Sequence, residues 1–267
     1  MSSTNTSGGG LKSIFAALVI VAAFVISSLI FIFIMGNPAN FAENDPANHP
    51  INYLGTIHKG GVIVPILVGL LIIVVTFSIE RFITIKASQG SGSVESFIAK
   101  IRSAMAKGDL AGASAECDKQ KGSIASVVKA GLGAYRQMEN DKDLDKERKI
   151  AAIQKELEEA TTLELPMMSK NLVIISTIAS IATLMGLLGT VIGMIRAFAA
   201  LAQAGAPDAV ALSTGISEAL INTALGIGTS AVAIIMYNYF TSKIDSLTYG
   251  IDEAGYSIVQ TFTTNSK

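Results

Sequence analysis

The residue best suited to chemistry in this chain is Glu218, an acid about ten residues into an otherwise apolar stretch, Ala209 to Phe240. A charged side chain at the centre of a bilayer costs about 2.5–3.5 kcal/mol on insertion scales, so such a residue faces a bundle interior or a water-filled cavity. Burial penalises the ionised form of a carboxyl group. That suits Glu218 to taking up and releasing a proton. The competing readings are a Glu that snorkels to the outer interface, or a buried acid hydrogen-bonded for packing alone. At about 100° per residue, Ala211, Thr214, Asn222 and Thr229 fall within about 40° of Glu218, which makes a small-polar stripe. The preceding apolar run has its own stripe, Ser176, Ser180, Thr183 and Thr190, in which Ser176, Thr183 and Thr190 recur every seven residues. Facing hydroxyls of this kind could hold water or relay protons. They could equally serve as polar glue between helices.

A second face of that run carries Ala182, Gly186, Gly189 and Gly193. Small residues four apart let membrane helices approach closely, so these positions read as helix packing. The stretch Gly186–Gly193 is no phosphate loop, because it has no preceding strand and no Lys in the required place. Arg196 marks the outer end of the run, either snorkelling or pairing with an acid such as Asp208; the sequence leaves both open. No nucleophile–base set, metal-ligand cluster or nucleotide motif is found, so no catalytic residue, metal or cofactor is expected. His49 and His58 share one polar connection without accompanying ligands and read as surface residues. Cys117 is the only cysteine. It reads as a structural thiol in a reducing compartment.

The elements that position these residues follow from two kinds of composition. The chain is half hydrophobic and only 15% charged, against about 25% charged in ordinary soluble domains. Between Glu80 and Lys170 lie 15 of the 20 Lys and Arg and 14 of the 21 acids. Apolar segments for lipid therefore alternate with one mixed-charge segment for water. A net charge of -1 gives no support to nucleic-acid binding.

Residues 1–61 read as a flexible polar leader (1–10), an apolar helix from Leu11 to Met35, and a solvated loop rich in Asn, Pro and Gly. The helix is longer than a signal peptide's apolar core and lacks a clean cleavage site, so it reads as an uncleaved anchor. Residues 62–85 form a second spanning helix, with Glu80-Arg81 as the interfacial anchor where it leaves lipid. Residues 86–170 form a helical, water-facing domain. Ser93 and Asp109 are N-cap candidates there. Helical stripes run through Phe97, Ile98, Ile101 and Met105, then Ile124, Val127, Val128, Leu132 and Tyr135, then Ile150, Ile153, Leu157 and Ala160. Pro166 should kink or interrupt the last of these helices. Residues 171–203 and 209–240 are the third and fourth spans, joined by an outer turn at 204–208 in which Asp208 is placed to cap the fourth. Residues 241–267 remain as a tail. Nothing alternates like a strand, so the fold class is all-α: a polytopic membrane helix bundle whose long helices extend into a cytoplasmic helical domain. The Lys/Arg bias puts the charged domain and both termini in the cytoplasm.

Gly186-Leu-Leu-Gly-Thr-Val-Ile-Gly193 and Gly215-Ile-Ser-Glu-Ala-Leu-Ile-Asn-Thr-Ala-Leu-Gly226, set across a short outer connection, resemble the MotA/TolQ/ExbB proton-channel family and most of all its ExbB branch. Tyr237-Asn238, Glu80-Arg81 and Lys107-Gly-Asp-Leu110 add weaker support. The likeness covers about residues 60–245. It implies a proton pathway of Glu218, Thr190 and Thr223, although Thr223 lies about 140° from Glu218 on the helix wheel and the stripe alone would not select it. Thr183, Ser176, Asn222 and Thr214 are secondary candidates for lining that path. The resemblance further implies a homo-oligomeric ring, commonly a pentamer, in the bacterial inner membrane. Its expected partners are a single-span ExbD-like protein that brings an aspartate and a TonB-like protein driven by the proton-motive force. The first helix and its loop are additional to the familiar three-span core. The Pro-containing motif of the MotA branch is absent from the last spans, whereas TolQ shares both long motifs. The alternatives are a TolQ-like subunit of an envelope system, or a passive scaffold binding a single-span partner. A stand-alone secondary transporter is disfavoured by too few spans and no inverted repeat.

Overall fold

The computed structural model describes residues 7–202 and 209–265. The first six residues of the leader, the connection that contains Asp208 with its expected cap, and the last two residues lie outside the described part. Helix α1 runs Ser7–Leu29 and continues as a π-helical stretch over Ile30–Met35. Ser7–Gly10, expected in the flexible leader, form its first turn, since extending a helix already nucleated by an apolar run costs little. A short helix α2, Tyr53–His58, precedes the long α3, Ile63–Gln89. Then come α4 (Val94–Ala106), α5 (Leu110–Gln120), α6 (Gly122–Asn140) and α7 (Lys146–Ser169). Helices α8 (Leu172–Leu201) and α9 (Ala209–Asn265) complete the chain. The only extended pairing among the described residues is one isolated bridge between Phe41 and Pro50. The fold is all-α, and four of its helices are long and apolar enough to cross a membrane.

Contacts divide the chain into two compact units. The first comprises residues 1–78 and 173–237. Its core includes Val64, Leu67, Val74 and Phe77 of α3 and Ala182 and Ala197 of α8. Large apolar side chains such as Leu18 and Val21 of α1, Leu184 and Ile195 of α8, and Leu220 and Ile235 of α9 point outward. A soluble unit would bury such side chains; here the lipid replaces water as their solvent. The loop expected to be merely solvated is tightly stitched. Asn40 donates to the carbonyls of Ile34 and Met35 at 2.7 and 2.9 Å, which satisfies the end of the first span. Asn52 donates in turn to Asn40 Oδ1 at 2.9 Å.

The second unit comprises residues 79–172 and 238–267. The caps expected at Ser93 and Asp109 are present, accepting from the amides of Ser96 and Gly112. Phe97, Ile98, Ile101 and Met105 are buried along α4, as are Ile124, Val127, Val128, Leu132 and Tyr135 along α6. Cys117 is a buried free thiol. Pro166 does not interrupt α7, which continues to Ser169. It stands in the last turn, where only one ladder bond is forfeited. The break falls at Asn171, whose φ of 65° is left-handed. Arg81 lies inside its unit. It is 2% exposed, pairs with Glu80, and donates to the carbonyls of Met167 and Met168 at 3.1 Å each. The segment 241–265 continues α9 as helix: Phe240, Ile244, Leu247, Ile251, Ala254, Ile258 and Phe262 form a buried stripe at helical spacing.

Candidate functional site: an acid between paired spanning helices

Helices α8 and α9 approach through glycines. A Cβ on Gly193 would stand 2.7 Å from the Gly215 carbonyl oxygen, and one on Gly186 would stand 3.0 Å from Gly226 Cα. A Cβ on Gly189 would meet Asn222 at 2.4 Å. The backbones touch where any larger residue would hold them apart, which is the close approach that small-residue spacing permits.

That seam places Glu218 inside the unit, 4% exposed. It does not snorkel. Its Oε1 accepts from Arg196 Nη1 of α8 at 2.5 Å, so Arg196 pairs with the intramembrane acid. The Arg196 side chain is 53% exposed while that of Glu218 is 5% exposed. The guanidinium thus carries the pair's exposed side and the carboxylate its buried side. Such partnering is what an intramembrane charge requires.

Next to Glu218, the Ala219 carbonyl gathers two hydroxyls. Thr223 donates to it at 3.1 Å, and Thr190 stands 3.5 Å from it across the seam. Thr190 also bonds to the Gly186 carbonyl at 3.3 Å, and the Thr190 and Thr223 hydroxyls contact one another. A pair of hydroxyls in contact can pass a hydrogen bond from one helix to the other, because each is both donor and acceptor.

The remaining candidates separate. Asn222 is completely buried, and its Nδ2 donates to the Gly60 carbonyl at 2.8 Å. Thr214 and Ser176 turn back onto their own helices, donating to the carbonyls of Val210 and Val173. Thr183 is exposed on α8. Thr223 could be reached only through the resemblance, while the roles of Arg196 and Gly60 depend on which helices cross. No cluster of metal-ligating side chains exists among the described residues.

Residues 119–253, just over half of the chain and inclusive of this seam, match the MotA/TolQ/ExbB proton channel family. The chain belongs to that family. It is a multi-pass membrane protein of a channel and transport family rather than an enzyme family. A putative biopolymer transport protein ExbB-like 3 of Synechocystis is 36% identical over 88 residues, covering 32% of this chain and 42% of that protein. A putative ExbB homologue of Methanothermobacter thermautotrophicus is 27% identical over 200 residues, covering 73% of this chain and 66% of its own. The Tol-Pal system protein TolQ of Pseudomonas aeruginosa is 26% identical over 124 residues, covering 46% and 54%. The chain thus spans between 42% and 66% of the length of these relatives.

Proposed function

We propose that this family member is a proton-conducting subunit of an ExbB–ExbD-like motor that energises TonB-dependent outer-membrane transport. It would sit in the bacterial inner membrane with the charged helical domain and both termini in the cytoplasm. The observation that carries this reading is Glu218, an acid in a spanning helix, 4% exposed and paired with Arg196. In this mechanism Glu218 takes up the proton and Thr190 and Thr223 shape the hydrated path beside it. Protonation neutralises the carboxylate and removes its attraction for Arg196, so proton occupancy changes how α8 and α9 hold each other. The energy available is about 2.3 kcal/mol per charge for each 100 mV of membrane potential. The partners are further copies of this chain, in a ring of five, around single-span ExbD-like subunits, with a TonB-like protein downstream.

Glu218→Ala in the full complex should assemble normally and lose proton-driven uptake. Full uptake in that variant would overturn the proton role. The TolQ relative supports a second reading, in which the same motor energises an envelope-spanning Tol-Pal system. Deletion of the gene distinguishes the two: loss of receptor-dependent uptake favours the first, and outer-membrane leakage with intact uptake favours the second.

A further inference from the structure

Asn222 stands one helical turn beyond Glu218, fully buried, yet it does not join the threonine pair. Its amide reaches a carbonyl 162 positions away in the chain, that of Gly60. Gly60 and Gly61 close the loop that joins the first two spans, and they are seated directly on the acid. Gly61 has φ of +72°, and a Cβ there would lie 2.5 Å from Glu218 Oε1 and 3.3 Å from Arg196 Nη1. A Cβ on Gly60 would lie 2.5 Å from Val64 and 3.1 Å from Ile221. A side chain at either place would press on these neighbours, and at Gly61 the left-handed backbone also favours glycine.

The turn is itself anchored. The amides of Gly60 and Gly61 donate to the carbonyls of Ile57 and His58 at 2.9 and 3.1 Å. Behind it the His58 ring stacks on Phe31 at 4.5 Å and meets Phe41 edge-on, while Lys59 donates to the carbonyls of Pro46 and Ala47. The Gly60 carbonyl, away from water, needs a donor. Asn222 supplies it. The other end of the same amide, Asn222 Oδ1, is buried with no hydrogen-bond partner among the described residues. The closed arrangement therefore rests on one side-chain bond and leaves one acceptor without a partner among the described residues. Lifting the turn would let water reach both that acceptor and the Gly60 carbonyl.

We propose that Asn222 is a positioning residue that holds the Gly60–Gly61 turn as a seal over the Glu218 carboxylate. The additional N-terminal helix and its loop are then part of the proton site. Opening of the seal admits water to the acid from the side of that loop. This inference rests on the proton-carrying role proposed for Glu218.

The test uses the full-length protein in lipid vesicles and a water-soluble carbodiimide with glycine ethyl ester, reading modification of individual carboxyl groups by peptide mass spectrometry. Glu218 should react far more slowly than exposed Glu43. Asn222→Leu, which cannot donate, should speed Glu218 labelling roughly fivefold or more while Glu43 is unchanged, because labelling follows the open population. Gly61→Ala should do the same without touching Asn222, and it decides alone if Asn222→Leu fails to fold. Unchanged Glu218 labelling in the folded variants overturns the seal. Failure of the proton role would show separately, as normal uptake by Glu218→Ala with the labelling difference intact.

Discussion

Arg196 Nη1 lies 2.5 Å from Glu218 Oε1, a contact that ties α8 to α9 by opposite charges within apolar surroundings. The relationship is lopsided, since the guanidinium is half exposed and the carboxylate is not. Removing the arginine strands a buried charge. Removing the acid leaves a cation that can reorient outward, since long basic side chains snorkel.

Arg196→Gln should therefore destabilise the isolated chain more than Glu218→Gln. The expected loss is about 2 kcal/mol, the scale of a hydrogen bond to a charged group. The double variant should recover part of it, because a neutral side chain at 218 needs no counter-charge. Thermal unfolding of all four proteins in detergent checks this. Strict additivity of the two single effects would show that the contact is energetically idle.

The glycine seam predicts a contrast between positions. A Cβ at 193 meets backbone atoms of α9 that cannot swing away, so Gly193→Ala should cost about 1–3 kcal/mol, as overpacking does. A Cβ at Gly228, also on α9, meets nothing within 4 Å. Gly228→Ala should be neutral or stabilising by up to about 1 kcal/mol, since alanine is the better helix former. Unfolding of the isolated chain reads both, and equal effects would deny the seam its role.

Cys117 provides a probe of the second unit. Burial first, and then the neighbouring Asp118, pushes its thiol up to about 11. Only the thiolate reacts, so a maleimide at pH 8 should leave Cys117 untouched in the folded protein and label it on unfolding. Rapid labelling under native conditions would show that α5 opens locally.

The sequence carried the four spanning helices and Glu218 because both are properties of a single segment. An acid in an apolar run is visible wherever the run sits. Thr223 is different. It lies off the Glu218 face, and only a helix crossing that brings Thr190 against it gives it a role, so geometry within one helix could not select it. The same limit applies to Arg196, whose partner depends on the pairing of α8 with α9, and to Asn222, whose acceptor is at Gly60. The continuation of α9 is legible in the sequence. The spacing of apolar residues from Phe240 to Phe262 is helical although hydropathy falls past Phe240. A change of solvent along a helix is no stop signal when no cap or proline accompanies it. His58 read as a surface residue because its loop is polar, and its aromatic neighbours Phe31 and Phe41 come from elsewhere in the chain.

Arg81 should prove more important to stability than a surface ion pair. Its guanidinium satisfies two carbonyls in the last turn of α7, groups that have no helical partner. Arg81→Met leaves those carbonyls without a donor and the Glu80 carboxylate with only Thr84 and Asn171, at a cost of about 3 kcal/mol. Arg81→Lys keeps the charge but not the planar fork, and should recover only part of the loss. Denaturant unfolding with the Cys117 probe as readout measures both, and a silent Arg81→Met would contradict the capping role.

His58 makes the loop between the first two spans sensitive to acid. Burial between the rings, and secondarily the charge of Lys59, lowers its pKa from the model-peptide value of 6.5. The folded loop thus binds the proton less readily than the unfolded chain, and stability rises with pH wherever the unfolded state holds more protons. The contribution is complete above pH 6.5, declines as the pH falls through 6.5 toward the depressed folded value, and is flat below it. Amide hydrogen exchange over residues 53–61 should accordingly quicken between pH 7.5 and pH 5 once corrected for the intrinsic rate. His58→Phe keeps a flat ring beside Phe31 and removes the ionisable group, so it should abolish that extra acid dependence. Identical pH profiles for the two proteins would mean that the stacked imidazole is protonated as easily in the fold as out of it.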